Sequence, residues 1–283
     1  DGTVYKYNWA TNSWDGELVH DNTSLALNKI WVEDSNSIFV AGDDGLLKRW
    51  NGVVWEDWSD LIFDTDLYGV WGYSSTDLYV GGQGKLWHYN GTSWTLKFNQ
   101  SSLYRYVRKI HGTADHSRVV ALAIHDWNDN IGYTSHIWQS VSGGVWTGAA
   151  DVYYWGLYCN GVGVSGDECF VGGSAGTIDK QTRLIRLTGG VQEDLIYLSY
   201  EPRGVSGHDQ NDLLFVSLNE AVHFDGSRYT FLPVASIGEA GNMSFKATWA
   251  NGVGGYWLVG PKGYVMYWDG VSYGVSSLSK HLI

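Results

Sequence analysis

Proline and long apolar runs are scarce in this chain of 283 residues, which contains only 3 Pro. Together these two absences exclude collagen-like, disordered and helical-bundle proteins. No stretch of about 18 uncharged apolar residues occurs, so we expect no membrane span. The chain does not begin with a basic segment followed by an apolar one, so the signal peptide of a secreted protein would already have been removed.

Basic residues are also few, because 18 Lys and Arg stand against 30 Asp and Glu, for a net charge of −12. Binding to nucleic acid requires basic side chains that neutralise phosphates, so we expect no nucleic-acid partner. The excess of acidic residues is explained as keeping a tryptophan-rich surface soluble. What the chain has in abundance is glycine and large aromatic residues, with 37 Gly, 16 Trp and 19 Tyr.

The two cysteines, Cys159 and Cys169, fall in one predicted hairpin. A turn near Ser165 and Gly166 places Cys169 opposite Val162 rather than opposite Cys159. We therefore expect two buried free thiols. A disulfide requires local rearrangement, and the redox compartment stays open.

An internal repeat is the main signal in the sequence. Its clearest copy is LYGVWGYSSTDLYVGGQGKLWHYNGTSW, residues 67–94, with landmarks at Trp71-Gly72, Gly81-Gly82, Asn90-Gly91 and Trp94. Four short apolar or aromatic runs predict four antiparallel strands, A to D, and Asn90-Gly91 predicts a type I′ hairpin between strands C and D. Such a small sheet cannot bury both of its faces alone, so successive copies must pack together.

The landmarks recur along almost the whole chain; Trp31 and Trp71, for example, are 40 residues apart. The copies share the same strand order and occupy residues 1–15 (a half copy), 25–58, 67–98, 103–147, 152–196, 200–232 and 245–276. Six full copies and an N-terminal half copy predict an all-β fold, a single β-propeller domain over 1–283 with four-stranded antiparallel blades and a seven-bladed register. A β-sandwich is the alternative, but it needs no regular landmark.

The half copy at the amino terminus corresponds to strands C and D alone. Three explanations stay open: residues missing from this chain, a partner segment or subunit that completes the blade, or closure by six blades with the half copy outside. We favour missing residues, because the half copy keeps the spacing of the repeat.

The run Leu78-Tyr79-Val80-Gly81-Gly82, followed by Tyr89 and Trp94, resembles a shortened kelch repeat. The ending Asn/Asp-Gly-x-x-Trp is also similar to bacterial extracellular and Asp-box-type propellers. The resemblance implies a propeller at an extracellular or cell-surface location. The Asp-box signature Ser-x-Asp-x-Gly-x-x-Trp is absent and no arginine triad can be assigned, which counts against a sialidase. Kelch proteins include enzymes and binding platforms, so no catalytic residue transfers.

Loops that depart from the repeat indicate where a ligand binds. A–B turns and C–D hairpins lie on one face of such a fold, while B–C loops and D–A links lie on the other. Two large insertions, 125–135 and 174–182, both lengthen B–C loops. The sequence therefore predicts a binding site on the B–C/D–A face.

The first insertion concentrates polar and aromatic side chains: His125, Asp126, Trp127, Asn128, Asp129 and Asn130. Trp127 can stack on a sugar ring while the amides and carboxylates bond its hydroxyls. Asp126, Asn128 and Asn130 also have the spacing of a calcium loop, although isoleucines replace its Gly and its bidentate Glu. Ca²⁺ is thus the one candidate cofactor, and a plain polar turn is the alternative.

Further candidates on the same face are Asp43, Asp44, Lys180 and Gln181, with the linker acids Asp60, Asp64 and Asp66. Paired carboxylates can do acid–base chemistry, but the sequence does not fix their separation. One copy contains four histidines, so a zinc site is a further hypothesis: His111, His116, His125 and His136. Their predicted positions scatter them over both faces.

Seven of the 16 tryptophans occupy two repeat positions, Trp31, Trp71 and Trp249 at one and Trp14, Trp55, Trp94 and Trp146 at the other. We predict that these form the core between blades. Trp9, Trp58 and Trp127 lie outside those positions and are candidates for the surface.

The function that follows is a non-catalytic extracellular or cell-surface propeller that binds glycan or protein through the B–C/D–A face. One alternative is a glycan-acting hydrolase or lyase on the same scaffold. The other is a structural module of a larger extracellular assembly.

Overall fold

A computed structural model describes residues 2–8, 10–11, 13–20, 24–60, 62–100, 105–113, 115–125, 135–152, 154–159, 168–175, 181–188, 191–198, 203–209, 211–217, 220–232, 245–251, 254–261 and 264–277. Within these ranges every regular element is a β-strand, apart from a 3-10 helix at Asp43–Gly45. No helix in this part of the chain is long and apolar enough to cross a bilayer.

The chain divides into two compact units. The first unit is Asp1–His111 with Val120–Asp126, and the second is Gly112–Val119 with Trp127–Ile283. The prediction of one domain over 1–283 stays a prediction.

The first unit holds a two-stranded sheet and two four-stranded sheets. The two-stranded sheet pairs β1 (Thr3–Asn8) with β2 (Ser13–Leu18). The next sheet has the order β3 (Leu27–Asp34), β4 (Ser37–Gly42), β5 (Leu47–Trp50), β6 (Trp55–Asp57). The third has the order β7 (Leu67–Ser74), β8 (Asp77–Gly82), β9 (Lys85–Tyr89), β10 (Trp94–Asn99).

The remaining strands form four more sheets in the same sequential order. The first of them is β11 (Arg105–Gly112), β12 (Arg118–His125), β13 (Ser135–Val141), β14 (Thr147–Val152), and the next is β15 (Tyr154–Cys159), β16 (Glu168–Ala175), β17 (Gln181–Thr188), β18 (Val191–Leu198). The last two are β19 (Gly204–Asp209), β20 (Asp212–Val216), β21 (Ala221–Phe224), β22 (Tyr229–Leu232), and β23 (Ala247–Ala250), β24 (Tyr256–Val259), β25 (Tyr264–Trp268), β26 (Tyr273–Ser277).

The predicted strands A to D are therefore found as consecutive antiparallel neighbours. Five of the four-stranded sheets have side chains described over most of their length, while β15–β18 is described chiefly through its backbone pairing. The finer count, six full repeats with a half repeat in a seven-bladed register, stays a prediction.

The C–D hairpins lie where Asn-Gly and Asp-Gly predict them, but the turn type was wrong. A type I′ turn needs positive φ at both central residues. Gly91 has φ 88°, whereas the described non-glycine residues with positive φ do not include Asn90. Instead the Asn90 side-chain oxygen accepts the backbone N–H groups of Thr92 (3.0 Å) and Ser93 (2.9 Å). The turn is a longer loop closed by an Asx side chain.

The core of the first unit lies between the sheets β3–β6 and β7–β10. Its buried members are Phe39, Ala41, Leu47, Phe63, Leu67, Val70, Leu78, Val80 and Trp87. A second cluster, in the second unit, joins β19–β22 to β23–β26 through Leu214, Val216, Ala221, Phe245, Tyr256, Leu258, Met266 and Trp268. Alternating apolar positions of the inner strands supply most of both clusters, as expected for sheets buried on both faces.

Two predictions about tryptophans were wrong. Trp58, expected at the surface, packs against the core of the first unit, edge-on to Phe39 at 5.1 Å and to Tyr89 at 5.4 Å. Trp249, expected in the core between blades, is 61% exposed. The reason is that burial depends on what packs against a strand, and the repeat position alone does not fix that.

The cysteine prediction was also wrong about register. In the β15–β16 pair Cys159 lies directly opposite Cys169, and Tyr158 lies opposite Phe170. The register differs from the one that a turn near 165–166 predicted, because strand pairing rather than the assumed turn sets which residues face each other.

Candidate functional site

The B–C loop between β4 and β5 lies beside the links that lead into β3 and β7, which is the predicted B–C/D–A face. Asp43 begins this loop. Its carboxylate accepts the backbone N–H of Ala26 at 2.9 Å and the side-chain N–H of Asn28 at 2.8 Å. Its own backbone N–H donates to the Ala26 carbonyl at 3.0 Å. Asp43 therefore anchors the start of β3 to the loop.

Asp44 has a backbone conformation that few side chains adopt. Its φ is 53°, in the left-handed region that Asp tolerates better than most residues. Its backbone N–H donates to Oδ1 of Asp66 at 2.9 Å. The next residue, Gly45, has φ 73°, and a Cβ there would clash with the Phe63 carbonyl oxygen. The tight turn leaves the Asp44 side chain exposed.

Asp66 serves two partners, because its other oxygen accepts the hydroxyl hydrogen of Tyr68 at 3.1 Å. Burial, followed by the negative charge of Asp66, raises the pKa of Tyr68 to about 12. Tyr68 is thus a neutral hydrogen-bond donor at physiological pH, with its ring fixed at the start of β7.

An aromatic–guanidinium cluster lies next to this pair and consists of Tyr68, Tyr106 and Arg108. The two rings meet edge to face with centroids 4.8 Å apart. The Arg108 guanidinium carbon lies 5.5 Å from the Tyr68 centroid and 5.4 Å from the Tyr106 centroid. Both distances are within the range of a cation–π contact. All three side chains are half-buried, so the cluster offers a rigid surface.

The linker acids also have structural partners. Asp64 forms an ion pair with Lys85, whose Nζ lies 2.7 Å from Oδ1. Asp60 accepts the backbone N–H of Ile62 at 3.1 Å. Across the described part of this face, each linker acid holds a backbone group, a phenol or a cation.

Two His–Asp pairs occupy equivalent positions in two sheets and are structural. His88 Nε2 lies 2.7 Å from Asp77 Oδ1, and the His88 ring stacks on Tyr79 at 4.3 Å. His223 forms the same contact with Asp212, also at 2.7 Å. His88 lies on β9 and His223 on β21, the third strand of each sheet, so both pairs belong to the packing of the repeat.

Asp212 has a further partner, because the Tyr256 hydroxyl donates to its Oδ1 at 2.7 Å and to its carbonyl at 2.8 Å. This side chain therefore ties the sheet β19–β22 to β23–β26.

Most residues of the predicted site have side chains outside the described part of the structure. His125 ends β12 and Gln181 begins β17, where it lies opposite Ala175, and only their backbones are described. Asp126, Trp127, Asn128, Asp129, Asn130 and Lys180 lie outside the described residues. The predicted glycan and calcium sites in the insertions therefore stay predictions.

Of the four histidines considered for zinc, two have described side chains. His111 stacks on Trp71 with ring centroids 5.2 Å apart. His116 lies in a turn with φ 59°. Among side chains that the structure describes, no three His, Cys, Asp or Glu come together as metal ligands.

Sequence reasoning missed the aromatic–guanidinium cluster. Tyr68 and Arg108 occupy the same repeat position in consecutive copies, one residue before Gly69 and Lys109. An inner-strand position that changes from Asn28 to Tyr68 to Arg108 departs from the repeat. That variation was a usable signal, but only the structure shows that the side chains meet.

Comparison with known proteins bears on the fold. No family model matches the sequence, and no curated protein matches it. Among solved structures, YCF48 from Cyanidioschyzon merolae has a TM-score of 0.59 and 12% identity, over 92% of this chain and 88% of that one. YCF48 bound to D1 peptide has a TM-score of 0.60 and 16% identity, over 92% and 84%. A chain of the Mitotic Checkpoint Complex has a TM-score of 0.64 and 11% identity, over 94% and 83%.

At these identities the likeness concerns the fold alone. Neither the kelch-like resemblance nor the extracellular location gains support from them, and both stay predictions. Taken with the consecutive four-stranded sheets, the neighbours show that the chain has the fold of an all-β propeller with four-stranded antiparallel blades.

Proposed function

We propose that this protein is a non-catalytic binding propeller that holds a protein ligand, as an extended peptide segment, on its B–C/D–A face. The observation that carries the proposal is the aromatic–guanidinium cluster beside the exposed carboxylate of Asp44. Tyr and Arg are enriched among residues that dominate protein interfaces, because they combine a large rigid contact area with directed hydrogen bonds.

The positions of the acids favour binding over catalysis. A general acid or base has to be free to exchange a proton with a substrate. Asp43 holds Ala26 and Asn28, Asp66 holds Asp44 and Tyr68, and neither pair of partners is a substrate group. These contacts stiffen the face, which lowers the entropy lost when a ligand binds.

One of the structural neighbours is YCF48 bound to D1 peptide, so a propeller of this general shape accommodates a peptide. The glycan reading of Trp127 and its neighbours remains a second candidate, as does a glycan-acting enzyme. An extracellular location is part of the proposal and is tested by fractionation of the source cells.

The test is to pan a displayed random-peptide library on the whole chain and to measure the enriched peptides by calorimetry. Arg108→Ala should weaken their binding by about tenfold or more, in the range of interface arginines. Arg49→Ala is the matched control, since Arg49 also lies over aromatic rings, at 5.8 Å from Phe39 and 5.3 Å from Trp58, but on strand β5.

Three outcomes would contradict the peptide proposal. Enriched peptides that bind Arg108→Ala and Tyr68→Ala as tightly as the unchanged protein would place the site elsewhere. Binding on a glycan array that is lost on deletion of residues 125–135 would favour the glycan function. Release of sugars from those glycans would favour the enzyme.

A further inference from the structure

The two-stranded sheet β1–β2 has the register of strands C and D of the repeat. Tyr7 lies opposite Trp14, as Tyr89 lies opposite Trp94 in the pair β9–β10. In the four-stranded sheets, strand C also pairs with strand B along its other edge. Among the strands that the structure describes, none pairs with that edge of β1. An unpaired edge of this kind is where an extended segment of another chain adds to a sheet.

The side chains of β1 are more exposed than their counterparts in complete sheets. Val4 and Tyr5 correspond to Leu86 and Trp87 on β9. Leu86 is 0% and Trp87 is 2% exposed, whereas Tyr5 is 36% exposed. The same two positions are buried on β21 and β25. The strand β1 therefore lacks cover that strand C has in other sheets.

A second uncovered surface lies on β3, the first strand of the next sheet along the chain. Ile30 is 46% exposed and Val32 is 50% exposed. The residue of β7 that corresponds to Ile30 is Val70, which is only 2% exposed. Ile110 and Val205, at the same repeat position, are 6% and 8% exposed. Burial at this position is thus the rule, and Ile30 departs from it.

The packing of the complete sheets shows what is missing over Ile30. Strand β7 packs against β3 and β4, which are strands A and B of the sheet before it, and β23 packs against β19 and β20 in the same way. The sheet before β3 is β1–β2, which has neither of these strands among the described residues. Trp31 packs into the core shared with β7–β10, so Ile30 points to the opposite face of β3.

The repeat also indicates the charge of a strand that would pair with β1. Asp77 begins strand B of its sheet and lies 2.7 Å from His88 on strand C, and Asp212 and His223 repeat this contact at 2.7 Å. The residue of β1 that corresponds to His88 is Lys6. Lys6 is exposed and forms no ion pair within the described part of the chain. An aspartate at the start of an added strand B would therefore lie beside Lys6.

We propose that the edge of β1 and the apolar side chains of β3 form a docking surface for a β-hairpin of a partner chain. The second strand of this hairpin pairs with β1 and brings an aspartate to Lys6. Its first strand covers Ile30 and Val32 with alternating apolar side chains, including a large one at the position of Trp31. The proposal does not rest on the peptide proposed for the B–C/D–A face.

A second copy of this chain is a poorer occupant. The strand with an unpaired edge that the copy would present is β1 itself, and the one charged residue of β1 is Lys6. Pairing β1 with a second β1 would bring a positive charge to this edge in place of an aspartate. Like charges on neighbouring strands destabilise a sheet, so the surface favours a partner with an acidic strand.

The experiment uses a synthetic peptide with the sequence of residues 67–82, the A–B hairpin that contains Trp71 and Asp77. The whole chain is titrated into the dye-labelled peptide, and binding is followed by fluorescence anisotropy. Ile30→Asp should weaken binding at least tenfold, because it places a carboxylate in the apolar contact. Val53→Asp is the matched control, since Val53 is an exposed valine in the C–D hairpin of the same sheet, and it should leave binding unchanged.

The contact with Lys6 is tested by exchanging the charges. Lys6→Asp should weaken binding of the peptide about fivefold, which is the upper end for an exposed ion pair. A peptide with Asp77→Lys should restore the binding of this variant and bind the unchanged protein weakly. Restoration requires the two residues to meet, so a loss of folding in Lys6→Asp would not reproduce it.

Absence of peptide binding, or equal binding by Ile30→Asp and the unchanged protein, would overturn the proposal. Sedimentation that shows a dimer, lost in Ile30→Asp, would assign the surface to a second copy instead. In the source cells, a photoreactive residue in place of Val32 should cross-link to a different chain, at a hairpin with alternating apolar residues and an aspartate. A cross-link within the same polypeptide would rule out a partner. Arg108→Ala should not affect hairpin binding, so this proposal and the peptide proposal fail separately.

Discussion

The close approach of β8 to β11 makes Gly81→Ala the most informative substitution in the first unit. A Cβ on Gly81 would lie 2.6 Å from both the carbonyl oxygen and Cγ1 of Val107. One of these atoms belongs to the backbone and the other to a β-branched side chain with few rotamers. Neither can move aside easily, so the extra methyl group forces the two strands apart.

The expected loss is moderate. Overpacking of a core typically costs about 1–3 kcal/mol. Replacing glycine by alanine also reduces the conformational freedom of the unfolded chain, which returns roughly 0.4–1 kcal/mol. The net decrease in the free energy of unfolding is thus about 1–2 kcal/mol, or roughly 2–8 °C in Tm for a chain of this size.

Gly148→Ala is the matched control, since Gly148 lies in strand β14 and its added Cβ would meet no atom within 4 Å. Both substitutions reduce the conformational freedom of the unfolded chain by the same amount. The difference between their free energies of unfolding therefore measures the clash of the added methyl group with Val107. Urea unfolding followed by tryptophan fluorescence gives both free energies. A Gly81→Ala protein as stable as Gly148→Ala would refute the packing of β8 on β11.

The remaining predictions concern charges and cysteines. Lys29→Gln should raise the pKa of Lys109 and stabilise the protein at pH 7. In the unchanged protein the free energy of unfolding should rise from pH 7 to about pH 10, because the unfolded state binds more protons than the folded state in this range. Urea unfolding measured over the same pH range should show a smaller rise for Lys29→Gln. Cys159 and Cys169 lie opposite each other in the backbone pairing of β15 and β16, so oxidation should form a disulfide. The intact mass should then fall by about 2 Da, and failure under mild oxidant would contradict the register. Hydrogen bonds from Ser227 and Arg228 lower the pKa of Asp225 to about 2, so Asp225→Ala should reduce Tm at pH 7 and the difference should shrink as pH falls below 4; a constant difference in thermal melts would contradict this.

The period-two runs and Asx-Gly pairs of the sequence predicted where strands A to D and their hairpins lie, because those signals are local. The type of turn in the C–D hairpin was predicted wrongly. Asn-Gly permits a type I′ turn, yet Asn90 uses its side chain to hold Thr92 and Ser93, and the loop is longer. The side-chain oxygen of Asn can compete with backbone carbonyls for the N–H groups of a turn. The identity of the two residues therefore does not determine which type of turn forms.

The candidate site was predictable in outline only. The repeat placed Asp43, Asp44 and Asp66 on one face, but it treated them as free carboxylates. In the structure the Asp43 carboxylate accepts from Ala26 and Asn28, and the Asp66 carboxylate accepts from the backbone N–H of Asp44. These contacts join residues 15 to 22 positions apart in the chain, so local sequence does not predict them.

By itself the sequence determined that this protein is a repeat of four-stranded sheets, since hydrophobic period and turn chemistry act over a few residues. The tertiary structure decided which side chains meet. Trp58 is packed in the core although it lies off the repeat, and Trp249 is exposed although it lies on it. The physical reason is that burial and electrostatic interaction depend on neighbours in space, and a repeat specifies those neighbours only after the sheets have packed.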